Sequence, residues 1–384
     1  PTNYIDTGAT QIRTGLLEDE PRFDYHNSAS SSPNTCPSLL LEPSRTNLIT
    51  FSEYFTGSAY SPQGSVTVVT NTSSISSPEG VENTAFLKSA AADSEQYLQI
   101  GSLNVTNTED YILSVFAKKR DFNFLQLKFT NAGSRFNDAG VWFNINTGVV
   151  GTADSNVTGK IEDYGNGWFR CIASSTSTST GAATVRIQLA DADNDDDTDG
   201  DGIKGTYLYG AMFEESSFAT SYIPTNGTAA TRGGDICASS QNLPEALPTS
   251  HTYFLELKRI VETSATNEEI LIIKNSSSPS NNKLTLSSRS NGIFSALIAG
   301  NSATKRLNSP NNSFDQGETI KAAVRITPDL CTLFVNGSSA ATNSDVGNVT
   351  GINNITSIVD ALVNQIVIFP SALSDDDCET LTTP

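Results

Sequence analysis

The chain has 384 residues, 37% of them hydrophobic and 17% charged, a composition that supports a folded core and a length that suits two domains. Its formal net charge is −19 at pH 7, and a surface of this sign repels nucleic-acid phosphates and anionic lipid headgroups. Because the sequence also lacks an apolar run of ~18 residues, we expect no nucleic-acid partner and no membrane insertion.

The N-terminal region is dominated by polar turn-forming residues. It predicts an irregular segment, residues 1–50, that packs on the first domain. The chain begins Pro1-Thr2-Asn3, with neither an initiator methionine nor a signal-peptide pattern. We therefore expect a portion of a longer protein.

Residues 51–237 alternate between apolar and polar side chains, as strands with one buried face do. Leu125, Leu127 and Phe129, for example, are separated by polar residues. The turn formers at 146–148 and 163–167 each lie between two such runs and predict hairpins. This region is predicted to form antiparallel sheets with one face buried.

The second half of the chain begins after a change in composition. Residues 238–250 lack periodicity, contain two prolines and predict a linker. Strand patterns then resume, and residues 251–384 predict a second sandwich. A short helix is expected near Ser374–Leu381, because Ser374 suits the N-cap and three aspartates follow it. The predicted fold class is all-β, with two tandem antiparallel β-sandwich domains.

The five cysteines are widely spaced and form no CxxC pair, which argues against a zinc site and against an essential disulfide. Cys171 and Cys331 lie in strand-like runs and are predicted to be buried.

Several ordered segments carry a resemblance to a known family. They are Pro21–Tyr25, Leu39–Leu48, Ser114–Lys118, Phe143–Gly148, Gly167–Arg170, Tyr209–Glu214 and Thr220–Thr225. Together they resemble bacteriophage tail and spike-fibre proteins, which implies a concanavalin-like or carbohydrate-module-like jelly roll. The second half is similar to a laminin-G or concanavalin A-like sandwich, through Ala322–Arg325, Leu333–Gly337 and Phe369–Ser374.

The resemblance implies a recognition module of a virion tail or fibre that acts outside the cell. Its expected partners are a cell-surface or extracellular polysaccharide, other virion proteins and two further copies in a homotrimer. The alternatives are a secreted bacterial surface protein, a structural virion spacer or decoration protein, and a polysaccharide depolymerase with catalytic carboxylates far apart in sequence.

An acidic run near the middle of the chain predicts a calcium site. Calcium prefers six to eight oxygen ligands, and carboxylates at alternating positions can surround it where glycine permits a tight turn. Two registers fit, one with Asp195, Asp197 and Asp199 and the other with Asp197, Asp199 and Asp201. Asp193 is a further candidate ligand. Neither register supplies the bidentate glutamate of a complete EF-hand. A solvated acidic loop is the alternative interpretation.

Three aromatic residues are candidates for contact with a sugar, since sugar rings stack on aromatic faces. Trp142 has the opposite parity to Phe143 and Ile145, so it faces away from the core, either to solvent or beneath a neighbouring loop or subunit. Tyr207 and Tyr209 lie close to the acidic run and form either a sugar platform or part of a core.

Catalytic signatures are missing from the sequence, which holds no GxSxG, HExxH, P-loop or dinucleotide glycine motif. The adjacent pairs Glu214-Glu215 and Glu268-Glu269 point to opposite faces of a strand, the wrong geometry for a paired acid and nucleophile. We therefore expect a protein that is not an enzyme and has no catalytic residues.

Overall fold

The computed structural model describes residues 22–24, 38–70, 75–235, 241–243, 245–259, 268–278, 280–315, 317–358 and 361–384. These residues form two compact units. The first unit contains residues 44–233, and the second contains residues 22–24, 38–43 and those from 234 onward.

Nearly all the regular structure is β. In chain order the strands are β1 Arg22–Asp24, β2 Ser38–Leu40, β3 Arg45–Asn47, β4 Tyr60–Gln63, β5 Thr67–Val69, β6 Ala85–Lys88, β7 Asp93–Ser94, β8 Tyr97–Val105, β9 Asp110–Lys119, β10 Phe124–Phe129, β11 Ala139–Asn144, β12 Val149–Ala153, β13 Thr158–Asp163, β14 Trp168–Thr176, β15 Gly181–Ala190, β16 Thr198–Asp199, β17 Gly205–Glu215, β18 Ala230–Arg232, β19 Gln241–Asn242, β20 His251–Arg259, β21 Glu268–Lys274, β22 Lys283–Arg289, β23 Ile293–Ala299, β24 Thr304–Asn308, β25 Thr319–Ile326, β26 Cys331–Val335, β27 Ser338–Asn343, β28 Asn354–Ile358 and β29 Ala361–Phe369.

The first unit is a sandwich of two six-stranded antiparallel sheets. Sheet A has the order β12-β11-β10-β15-β8-β4, and sheet B has the order β13-β14-β9-β17-β6-β5. Leu125, Leu127 and Phe129 of β10 are fully buried in a core to which both sheets contribute. Burying each such side chain contributes roughly 1.5–3 kcal/mol, so the alternation read from the sequence fixes which face of each strand turns inward.

The second unit also contains two antiparallel sheets around one core. Sheet C has the order β1-β2-β29-β20-β25-β26-β27, and sheet D has the order β19-β28-β21-β22-β23-β24. The predicted helix is confirmed as α1, Asp375–Thr382. The Ser374 hydroxyl accepts a hydrogen bond from the Asp377 amide at 3.1 Å, and three aspartates occupy the first turn, where the helix dipole favours negative charge.

The boundaries of the units differ from those expected. The segment 1–50 does not pack wholly on the first domain, because β1 pairs with β2 and β2 pairs with β29 of sheet C. Leu41 is likewise buried in the core of the second unit. Among the described residues of this segment, those from 44 onward belong to the first unit, where β3 pairs with β18.

The segment predicted as a linker, residues 238–250, also contributes to the second unit. Strand β19 pairs with β28, and Leu243 and Leu247 pack against the second core. Residues 236–240 and 244 lie outside the described residues. The two leucines explain why this segment is not a free linker. Isolated apolar side chains can be buried even where the sequence shows no periodic pattern.

Cys171, Cys331 and Cys378 are buried free thiols, which confirms the predicted burial of the first two. Cys36 and Cys237 lie outside the described residues. No helix in the described parts of the chain is long and apolar enough to cross a bilayer.

Candidate ligand-binding site

A cavity of about 400 Å³ opens on the outer face of sheet B. Lys118 of β9 lines it and is paired across the sheet with Trp168 on one side and Tyr207 on the other. The lining residues are Ile75, Ser76, Ser77, Pro78, Gly80, Lys118, Tyr164, Gly165, Asn166 and Trp168.

The turn between β13 and β14 builds one wall of the cavity. Gly165, Asn166 and Gly167 all have positive φ, at 74°, 52° and 76°, which explains the choice of glycine and asparagine. The Asp163 carboxylate accepts a hydrogen bond from the Gly165 amide at 2.8 Å, and the Trp168 amide donates to the Gly165 carbonyl at 2.9 Å. The turn is thus fixed by its own hydrogen bonds.

Trp168 holds the opposite wall. Its side chain is 1% exposed, and its indole N–H donates to the Ser76 carbonyl at 2.9 Å. Trp168 also packs in an aromatic cluster on the outer face of sheet B, with Phe116, Tyr209, Met212, Tyr222 and Ile223. Trp168 is therefore a packing residue, and its hydrogen bond to Ser76 anchors the segment 75–80 that lines the cavity.

Polar residues that line the cavity include Lys118, Asn166 and Ser77. The Lys118 ammonium donates to the Asn166 carbonyl at 2.5 Å, and burial lowers the pKa of Lys118 from its usual value. Asn166 is exposed. The buried Ser77 hydroxyl has no hydrogen-bond partner among the described residues. A buried hydroxyl without a partner carries a desolvation penalty.

An aromatic surface lies beside these polar groups. Tyr164 is half-buried, and its ring meets Phe116 edge to face, with the centroids 4.9 Å apart. Tyr207 is half-buried next to Lys118 and packs on Phe86 at 5.5 Å. The arrangement combines an apolar ring with an ammonium, an amide and hydroxyls, a mixture that suits a hydroxyl-rich ring compound.

The two tyrosines predicted to contact a sugar, Tyr207 and Tyr209, therefore lie in different surroundings. Tyr207 is the cross-strand neighbour of Lys118 on sheet B. Tyr209, in contrast, is fully buried, and its hydroxyl donates to Glu53 at 3.1 Å. Burial raises the pKa of Tyr209 far above its usual value. Tyr209 offers no face to a ligand, so its expected role in sugar contact is wrong, because the cluster around it leaves no open surface.

A carboxylate pair that the sequence did not reveal lies in the same region. Glu53 accepts hydrogen bonds from the hydroxyls of Tyr209 and Tyr222 at 3.1 and 3.2 Å, and Glu79 also interacts with Tyr209. Glu79 is 2% exposed. The two glutamates are 26 positions apart in irregular sequence, so no periodicity could have paired them.

Trp142 lies on the other sheet and is not open to solvent. It is 3% exposed, and its indole N–H donates to the Asp195 carbonyl at 2.9 Å. The prediction that Trp142 points away from the core is right. Its expected stacking on a sugar is wrong, because the acidic loop covers the indole, as the alternative interpretation held.

The five aspartates predicted to bind calcium do not converge. Asp193 accepts from the Thr152 amide at 2.8 Å, Asp195 from the Asp197 amide at 3.2 Å, and Asp201 from the Ile203 and Lys204 amides at 2.8 and 2.7 Å. The two amides lower the pKa of Asp201. Asp197 and Asp199 are exposed.

Within the described residues, no three Asp, Glu, His or Cys side chains form a group that could hold a metal ion. Calcium binding by these five carboxylates stays a prediction, and the arrangement described does not fit it, since three of the five are bound to separate backbone amides.

The amino-acid sequence matches no protein-family model and no curated protein. Among solved structures, the CBM40 domain of the Ruminococcus gnavus IT-sialidase, bound to α2,3-sialyllactose, is 15% identical over 38% of this chain and 93% of its own, with a TM-score of 0.30. The heptameric SAP-like pentraxin of Limulus polyphemus is 14% identical over 36% and 71%, with a TM-score of 0.30. Sheep galectin-11 is 10% identical over 34% and 97%, with a TM-score of 0.27. Likeness at this level assigns no ligand to this chain.

Proposed function

We propose that this chain is a carbohydrate-binding module and that the cavity beside Lys118 is its ligand site. The observation that carries the proposal is the single cavity lined by Tyr164, Lys118, Asn166 and Ser77, which brings together residues with an aromatic ring, an ammonium, an amide and a hydroxyl. Pyranose rings present apolar C–H faces and a rim of hydroxyls, and this cavity offers a counterpart to each.

The charge distribution supports a saccharide over other ligands. A net charge of −19 disfavours nucleic acids and anionic membranes, which gain most of their affinity from many basic contacts. One partly desolvated ammonium suits hydrogen bonds to sugar hydroxyls or to a sugar carboxylate.

The sequence resemblance to bacteriophage tail and spike-fibre proteins supports a biological setting. In this proposal the module belongs to a virion tail or fibre, acts outside the cell and binds a bacterial surface polysaccharide without cleaving it. Assembly with other virion proteins and as a homotrimer belongs to the same proposal.

A glycan array with matched variants tests the ligand site. We expect Lys118→Met and Tyr164→Ala to weaken binding at least tenfold, which corresponds to about 1.4 kcal/mol. Lys119→Met is the control, because the Lys119 ammonium donates to Asn146 at 3.0 Å rather than to the cavity turn. Equal binding by the wild type and both cavity variants would show that the ligand lies elsewhere, and a wild type that binds no glycan would favour the structural spacer.

Turnover is tested separately, by release of reducing ends from any polysaccharide that binds. We expect none, because Glu79 is buried and Glu53 is bound to two tyrosine hydroxyls. Release that disappears in both Glu53→Gln and Glu79→Gln would make the chain a depolymerase and this pair its catalytic carboxylates.

A further inference from the structure

The acidic loop covers two glutamines on the outer face of sheet A. Gln126 of β10 and Gln188 of β15 are direct cross-strand neighbours, and both are 0% exposed. The Gln126 Nε2 donates to the Asp196 carboxylate at 2.7 Å, and the Gln188 Nε2 donates to the Asp196 carbonyl at 2.5 Å. Asp196 thus binds the nitrogen ends of both amides.

The oxygen atoms of the same two amides receive no hydrogen bond within the described residues. Neither the Gln126 Oε1 nor the Gln188 Oε1 has a hydrogen-bond partner anywhere in the described residues. A buried acceptor in this state carries a desolvation penalty that no hydrogen bond offsets. Turning either amide round does not help, because its oxygen would then face an Asp196 oxygen. The site therefore lacks a positively charged or donating group.

The charge of the loop shows which kind of group is missing. Residues 191–201 contain seven aspartates, and their mutual repulsion falls when a cation binds among them. A buried water could donate to both amide oxygens but would leave that repulsion unchanged. A hard cation satisfies the two acceptors and reduces the negative charge together. Calcium accepts carboxylate and amide oxygens in irregular numbers, whereas magnesium demands an octahedron and retains its waters.

We propose that Gln126 Oε1, Gln188 Oε1 and the Asp196 carboxylate form a calcium site between sheet A and the acidic loop. This set differs from the five aspartates indicated by the sequence, because its centre is two neutral side chains of the sheet. Bound there, calcium joins the loop to the sheet and holds it over Trp142. The site is independent of the cavity beside Lys118, so either proposal can fail alone.

Thermal unfolding with calcium and with a chelator is the first test. We expect calcium to raise the Tm of the wild type and the chelator to reverse the rise. The rise should be lost in the Gln126→Leu/Gln188→Leu double variant, which keeps every aspartate. Gln99→Leu is the control on the same face of sheet A, since Gln99 is half-buried and paired with Arg186 rather than Asp196. Asp196→Asn, which keeps an acceptor for Gln126, should bind calcium at least tenfold more weakly and serves if the double variant does not fold.

Terbium, which accepts the same oxygen ligands and emits when a nearby indole transfers energy to it, gives a second readout. Trp142 contacts Asp195 next to the proposed ligand Asp196, whereas Trp168 lies on sheet B. Sensitised emission should therefore disappear in Trp142→Phe and persist in Trp168→Phe. A wild type with no calcium-dependent shift and no emission overturns the proposal. A full shift in the double variant or in Asp196→Asn also overturns it, because the remaining aspartates would then be sufficient.

Discussion

Sheets A and B of the first unit each turn a row of polar and aromatic side chains away from the shared core, but the chain covers the two rows differently. On sheet A, the acidic loop lies directly on Trp142, Gln126 and Gln188 and leaves them no more than 3% exposed. On sheet B, the Trp168 indole is hydrogen-bonded to Ser76, and a cavity lies between residues 75–80 and the turn after β13. An outward-facing tryptophan therefore does not by itself mark a ligand site, because the neighbouring loop decides whether the surface is closed or open.

The largest expected effect is that of Trp168→Ala. Loss of this buried indole should reduce the free energy of unfolding by about 3–5 kcal/mol and release residues 75–80 from the cavity wall. Urea unfolding followed by the fluorescence of Trp142 measures it. A change below about 1 kcal/mol would show that Trp168 does not hold the cavity open.

Trp142→Ala should have a smaller effect, about 2–3 kcal/mol, because a surface loop can settle into the space better than a core can. Glycan binding at the cavity should remain unchanged. The measurement is urea unfolding followed by the fluorescence of Trp168, with an array run in parallel. A stable variant with weakened glycan binding would break the comparison and move the ligand site to sheet A.

Gly167→Ala sharpens the comparison at the cavity turn. The added methyl group meets only the Lys118 side chain at 3.6 Å, so crowding is ordinary and the positive φ alone should cost roughly 1–2 kcal/mol. Saccharide affinity should fall together with stability. Gly133→Ala, at a similar φ of 66° in the turn after β10, is the matched control and should leave affinity unchanged.

The smallest expected effect is a pH dependence of stability that differs between the two units. Burial lowers the pKa of His251, which lies in the second unit, so the folded state binds its proton less readily than the unfolded state does. His251 therefore contributes stability above its unfolded pKa of ~6.5, and that contribution is lost as the pH falls through the folded value.

The chain has two tryptophans, both in the first unit, so tryptophan fluorescence reports that unit alone. Lowering the pH below ~6.5 should shift the thermal transition seen by circular dichroism more than the one seen by fluorescence. His251→Gln should reduce the difference. Equal shifts in both signals, in the wild type and the variant alike, would contradict the assignment to His251.

Sequence patterns predicted those features that depend on local alternation and turn chemistry. The fold class, the hairpin turns, the N-cap at Ser374 and the outward parity of Trp142 all follow from short stretches of sequence. Partners that are distant in sequence could not be predicted. The contact of Trp142 with Asp195, the meeting of Glu53 and Glu79 at Tyr209 and the pairing of β2 with β29 depend on how loops and sheets come together.

The pairing of β2 with β29 also has a consequence for biosynthesis. Strand β2 is translated before the described strands of the first unit, whereas its partner β29 follows them, so sheet C stays incomplete until β29 has been made. The first unit, whose described strands run without interruption from β3 to β18, can fold while the remainder of the polypeptide is still being translated. During that interval β2 is a nascent strand without its partner β29, so a chain that ends before β29 should aggregate.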